Sequence, residues 1–197
     1  VTYAEQILKM AKNNKGIITS TQVSKAGILR EHLRGLVGKG LLERSERGVY
    51  IVPTGFDDEM YNLQMRYKRG IFSHATALFL LDLTDRTPIK YSMTFPLGYN
   101  TTALNAENVK YYRVTGSLYE LGIITAKSPG GNLIRIYNAE RSLCDILKGR
   151  SHADIQIVTD AFKRYTRLEK QDIPLLSKYA KLFRVEKKLR PYLEVLL

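Results

Sequence analysis

Between residues 17 and 52 the chain reads IITSTQVSKAGILREHLRGLVGKGLLERSERGVYIV, and its punctuation admits few folds. Ser20 or Thr21 is placed to cap a two-turn helix that runs through Ala26, with Gln22 and Val23 inside it. Gly27 follows where the chain must turn sharply, a conformation that glycine adopts without steric cost. A further helix is predicted over residues 29–39, with Leu29, Leu33, Leu36 and Val37 as its apolar stripe. Two β-prone pieces, 41–44 and 49–52, then flank the polar turn SERG. Upstream, Ala4, Ile7, Leu8 and Ala11 recur at helical spacing, with Thr2 as a cap and NNKG as the stop. Helix, extended piece, helix, turn, helix and hairpin is the order of a winged helix-turn-helix. Such a module places its second helix in the major groove of DNA.

Two glycines sharpen that expectation. Gly35 and Gly38 fall opposite the apolar stripe, together with Glu31 and flanked by Arg34 on one side and His32 and Lys39 on the other. Each glycine costs ~1 kcal/mol relative to alanine inside a helix. Packing cannot demand them on a solvent face, whereas close approach of a phosphate or base edge to the helix backbone can. Gly38 has the simpler alternative of a weakly formed helix end. Arg34 is the candidate for bidentate contact to guanine, and Glu31 for accepting from cytosine, unless the two pair with each other. Thr19, Ser20, Thr21, Ser24 and Lys25, with Arg30, Lys39, Arg44, Ser45 and Arg47, are the expected phosphate contacts that set register. His32 reads as a surface or groove-edge residue. Polar Gln22 stands where such modules usually carry an apolar residue.

Charge supports a polyanionic partner. Thirty-one Lys and Arg against 19 Asp and Glu give a formal net charge of +12 over 197 residues. The excess lies at the two ends: +5 over residues 1–52 and +6 over 148–197, against +1 between them. Lys187, Lys188 and Arg190 in the basic tail are candidate auxiliary DNA contacts. The other reading of that tail is a set of solvated helix faces. The longest apolar run, ATALFLLDL, falls far short of the ~20 residues a membrane span needs, and no secretory pattern opens the chain. With one cysteine, Cys144, expected as a buried thiol, the reading is of a cytoplasmic protein.

The rest of the chain reads as a small sheet followed by helices, so the fold class is α+β, with domains expected at 1–52 and 53–197. PTGFDDE marks the boundary, and residues 60–69 are a helix or linker. Ser73 is expected to cap an apolar helix. The strand-like runs are IKYSMTF, VKYYRV, YELGIITA and LIRIYN, the last two joined by the turn KSPGGN. From Ala139 onward four helical patterns follow. Chemistry is sparse. No Gly-rich phosphate loop, HExxH or CxxC occurs, His74 reads as structural or superficial, and Glu140 and Asp145 stand five apart. Tyr91, Tyr111 and Tyr112 read as half-buried strand residues, with base stacking as the alternative. No catalytic residue, metal site or cofactor is expected.

The order RGVYIVP, FSHATALFLLDLTDRTP, MTFPLGYNTT, IRIYNAERSLCDIL and a basic helical tail resembles the AbiEi antitoxins of bacterial abortive-infection systems along essentially the whole chain. SHATAL and ERSLCDIL are its more specific blocks, and Ser142 stands where that family is expected to carry threonine. The resemblance implies a non-enzymatic antitoxin whose N-terminal module binds inverted repeats in its own promoter and represses the operon. It implies a C-terminal domain that counteracts a nucleotidyltransferase-like toxin without a stable complex. A winged-helix-targeted nuclease and a toxin-sequestering module are the competing expectations. No coiled-coil or swapped element is visible, so a monomer is expected.

Overall fold

Thr2 opens the first helix by a reciprocal cap: its hydroxyl accepts from the Glu5 amide at 3.3 Å, and its own amide donates to the Glu5 carboxylate at 2.9 Å. In the computed structural model, which describes residues 2–53 and 58–196, this helix is α1 (Tyr3–Asn13). It is followed by β1 (Ile17–Thr19), α2 (Ser20–Lys25), α3 (Glu31–Gly38), β2 (Glu43–Glu46) and β3 (Val49–Ile51). The three strands form an antiparallel sheet in the order β1-β3-β2. Ile7, Ala11, Ile18, Val23, Ile28, Leu33, Leu36 and Leu42 make one buried cluster beneath these helices.

Three expectations change here. The cap of α2 is Thr19, not Ser20 or Thr21: its hydroxyl accepts from the Gln22 amide at 3.1 Å, while its amide donates to the Gln22 side chain at 2.7 Å. That exchange explains the polar residue at position 22. Leu29 is 65% exposed and lies before α3, so it leaves the apolar stripe, and Ile28 fills the core instead. The hairpin strands are shifted toward its tip. Glu46 pairs with Val49, a bulge lies between Arg44 and Glu46, and the turn is Arg47–Gly48 with Gly48 at φ +82°.

The boundary motif falls largely outside the described residues, but Asp58 caps α4 (Glu59–Arg66) by accepting from the Tyr61 amide at 3.1 Å. The chain forms two compact units. The first comprises the described residues up to Lys68 together with Lys127–Ile134, so it runs beyond the expected boundary at residue 52. The reason is local: buried Asp58 also accepts from Asn132 Nδ2 at 2.9 Å and from the Ser128 hydroxyl.

A mixed sheet, most of whose residues belong to the second unit, comprises β4 (Ile71–Phe72), β5 (Tyr91–Pro96), β6 (Val109–Val114), β7 (Ile123–Lys127) and β8 (Leu133–Tyr137), in the order β6-β5-β4-β8-β7. β5 runs parallel to β6, and β4 parallel to β8. The short central strand β4 escapes a periodicity argument because it has only two residues. The run YELGIITA begins as a helical turn, α6 (Gly116–Tyr119), before entering β7. Helix α5 (His74–Leu80) packs on α7 (Ala139–Ile146), which also meets α8 (Ile155–Tyr165) and α9 (Ile173–Phe183). Helix α10 (Glu186–Leu196) contains Pro191 and packs on α8 and α9. Ser73 makes no capping bond to α5. Its hydroxyl accepts from Thr94 Oγ1 at 2.8 Å instead. Cys144 is buried, which pushes its thiol up to about 12.

Candidate nucleic-acid interface

Gly27, at φ +74°, turns the chain after α2 so that Ile28 enters the core and Arg30 stands exposed ahead of α3. Leu33 and Leu36 anchor α3 from below, which turns Glu31, Arg34, Gly35 and Gly38 outward. The hairpin tip is fastened beside this helix pair: the Ser20 amide donates to the Gly48 carbonyl at 2.8 Å. A Cβ on residue 48 would meet Ser20 Oγ at 3.0 Å.

These attachments bring Arg30, Arg34 and Arg47 around one hollow of about 340 Å³, with Glu31 as its lining carboxylate and Ser20 and Tyr50 on its walls. Ser24 positions the first arginine, since Arg30 Nε donates to Ser24 Oγ at 2.8 Å while that hydroxyl donates to the Ser20 carbonyl at 3.0 Å. Among the described residues Glu31 and Arg34 form no ion pair, so both remain available to an outside partner. A second hollow, of about 560 Å³, begins at Arg47 and contains Thr21 and Lys25. It is also lined by Arg66 and Lys68, which the sequence reading does not single out. The signal is visible in retrospect as the basic run RYKR, but only the fold sets it beside Arg47. Arg66 there pairs with the Glu46 carboxylate.

Other candidates fall elsewhere. Thr19 is buried and its hydroxyl is engaged in capping, so it cannot reach a phosphate without breaking the cap. Arg44 is exposed and donates from Nε to the Glu46 carbonyl at 3.4 Å. Ser45 is half-buried and accepts from Asn62 Nδ2 at 3.4 Å. Lys39 is exposed at the end of α3. His32 faces α1, its ring tilted against Tyr3 at a centroid distance of 5.1 Å. In the second unit Lys187, Lys188 and Arg190 are exposed on α10. Lys188 donates to the Leu147 carbonyl at 2.9 Å, and Arg190 pairs with Glu194 at 3.0 Å. Among the described residues no group of three His, Cys, Asp or Glu side chains is close enough to hold a metal ion, and no helix is long and apolar enough to cross a membrane.

The glycine face makes a direct prediction. A Cβ at Gly35 would have nothing within 4 Å. Gly35→Ala should therefore raise the stability of the free protein by ~0.5–1 kcal/mol, read by urea denaturation. If DNA lies against this face, the same variant loses affinity. A variant that gains stability and binds DNA unchanged would remove the reason for glycine at this position.

Residues 5–53 match the family of AbiEi antitoxins described as transcriptional regulators. The SHATAL and ERSLCDIL blocks lie outside that match. Among solved structures, the chain is similar to the RV2827C protein from Mycobacterium tuberculosis, at 15% identity and a TM-score of 0.49. The similarity covers 98% of this chain and 81% of that one, a likeness too distant to carry an argument. No curated protein matches the chain.

Proposed function

We propose that this protein, whose residues 5–53 match antitoxin transcriptional regulators, is a DNA-binding autorepressor and antitoxin. In this reading the first unit is a winged helix-turn-helix. Helix α3 enters the major groove and the hairpin tip, Arg47–Gly48, lies over the adjacent backbone or minor groove, where arginine is favoured. The observation that carries it is the convergence of Arg30, Arg34 and Arg47 on one hollow beside the open Gly35 face. A phosphate backbone satisfies several such cations at once by releasing its counterions. Arg34 supplies a fork suited to guanine, while Arg30 and Arg47, joined by Lys25, set the register. The target is inverted repeats in the protein's own promoter. The second unit counteracts a nucleotidyltransferase-like toxin without forming a stable complex, in the cytoplasm, and the free protein is a monomer.

The test is binding of wild type, Arg34→Ala and Arg47→Ala to upstream DNA of its own gene and to random duplex, across a salt series. Arg34→Ala should cost ~1–3 kcal/mol and relax selectivity at one position. Arg47→Ala should weaken both duplexes alike and lower the salt slope by about one. Upstream DNA bound no tighter than random duplex would sink the repressor reading.

A further inference from the structure

The second unit has a hollow of about 550 Å³ bounded by the loop before β5, by β5 and β6, and by the start of α8. Its volume lies within the ~300–1,000 Å³ of small-molecule sites. One wall is apolar, from Pro88, Ile89 and Ile157, and Ile89 is 90% exposed. The cations Arg86, Lys90 and Lys110 also line it, against the carboxylate of Asp154. Arg86 is matched by Asp154 at 3.0 Å, and Lys110 Nζ donates to the Ser151 carbonyl at 2.7 Å. Lys110 and Lys90 therefore leave a net positive charge beside an apolar surface.

The backbone around the hollow is strained. His74 at φ +51° and His152 at φ +45° are both left-handed, non-glycine and part of the lining. Strain of this kind clusters at ligand sites. At His74 it produces a defined geometry. The imidazole stacks on Tyr112 at 3.6 Å and 13°, so one face of the phenol ring is fixed from beneath. Burial pushes the Tyr112 hydroxyl up to about 12, and the hydroxyl donates to the Ser151 carbonyl at 3.5 Å, which holds the ring in place. Cations, an apolar wall and a fixed aromatic ring together suit an anion that carries a flat ring.

We infer that this hollow binds a small phosphorylated ring compound of the nucleoside monophosphate class, its phosphate toward Lys90 and Lys110 and its ring against Ile89 and Ile157. The site shares no lining residue with the proposed DNA surface, and the inference does not rest on that reading. Calorimetric titration of the full chain with AMP, GMP, CMP and UMP tests this, with inorganic phosphate and adenosine as part-ligands. At least one nucleotide should bind one to one, with both part-ligands weaker. Lys90→Ala, at an exposed position, should weaken binding about ten-fold, the loss expected for one charge-assisted hydrogen bond, and Ile157→Asp should weaken it further. Arg34→Ala should leave it unchanged. No binding of any nucleotide, binding indifferent to Lys90→Ala and Ile157→Asp, or binding abolished by Arg34→Ala would each overturn the assignment.

Discussion

Asp145→Ala is expected to destabilise the second unit by ~3–5 kcal/mol, because it strips the counterion from a buried guanidinium. Arg141 is fully buried, and Asp145 is 1% exposed. Arg141 Nε donates to Asp145 Oδ2 at 2.9 Å, and Nη1 donates to the carbonyls of Leu118 at 2.5 Å and Leu121 at 3.1 Å. The rings of Tyr137 and Phe183 cover the guanidinium at 4.2 and 4.1 Å. Lys148 Nζ donates to the other carboxylate oxygen at 2.6 Å. Burial favours the neutral form of Asp145, but His74 when charged, Arg141 and Lys148 outweigh it and hold the carboxyl below its ordinary range. With Asp145 gone, the Arg141 guanidinium remains buried without its carboxylate, while Lys148 is part-exposed and can turn to solvent.

The whole cost does not belong to the ion pair itself. Replacing both partners with apolar residues, as in Arg141→Met with Asp145→Leu, should destabilise less than Asp145→Ala alone. Urea denaturation of the three proteins decides the matter. A loss below ~1 kcal/mol for Asp145→Ala would mean that water reaches the guanidinium, contrary to its burial.

The second large effect is acid sensitivity through His74. Burial lowers its pKa from 6.5 to about 4, against a smaller upward pull from Asp145 and with Lys148, Arg141 and Lys110 also lowering it. The unfolded chain therefore binds more protons than the folded one between pH 6.5 and about 4. Stability is complete above that window and falls as the pH drops through it, by on the order of 3 kcal/mol at about 1.4 kcal/mol per unit. Below it, protonation of Asp145 removes the counterion of Arg141 and adds a further loss. His74→Asn accommodates the left-handed backbone and does not titrate. Its stability should be flat across the upper window, measured by denaturation at several pH values. An equal decline in variant and wild type would exclude His74 as the titrating group.

Several features of the candidate site were legible in advance for local reasons. The chemistry of Gly27 demands a tight turn, the spacing of Leu33 and Leu36 turns Arg34 outward, and Gly35 has no packing excuse. Local rules leave the choice open where two options compete. Thr19, Ser20 and Thr21 are all competent caps, and only the reciprocal bond with Gln22 selects the first. Leu29 and Ile28 are both apolar, and the turn at Gly27 decides which is buried. A two-residue strand such as β4 has no period to detect.

What the sequence by itself determined is therefore the order of elements in the first unit, the outward face of α3 and the net positive charge of residues 1–52. These follow from steric and periodic rules acting within a few residues. Only the tertiary structure decided that Arg47 joins Arg30 and Arg34, that Arg66 and Lys68 continue from it, and that Arg141 is a core residue rather than a surface cation. Each is a contact between elements distant in the chain, made by backbone pairing, strand register or burial that no short window of sequence encodes.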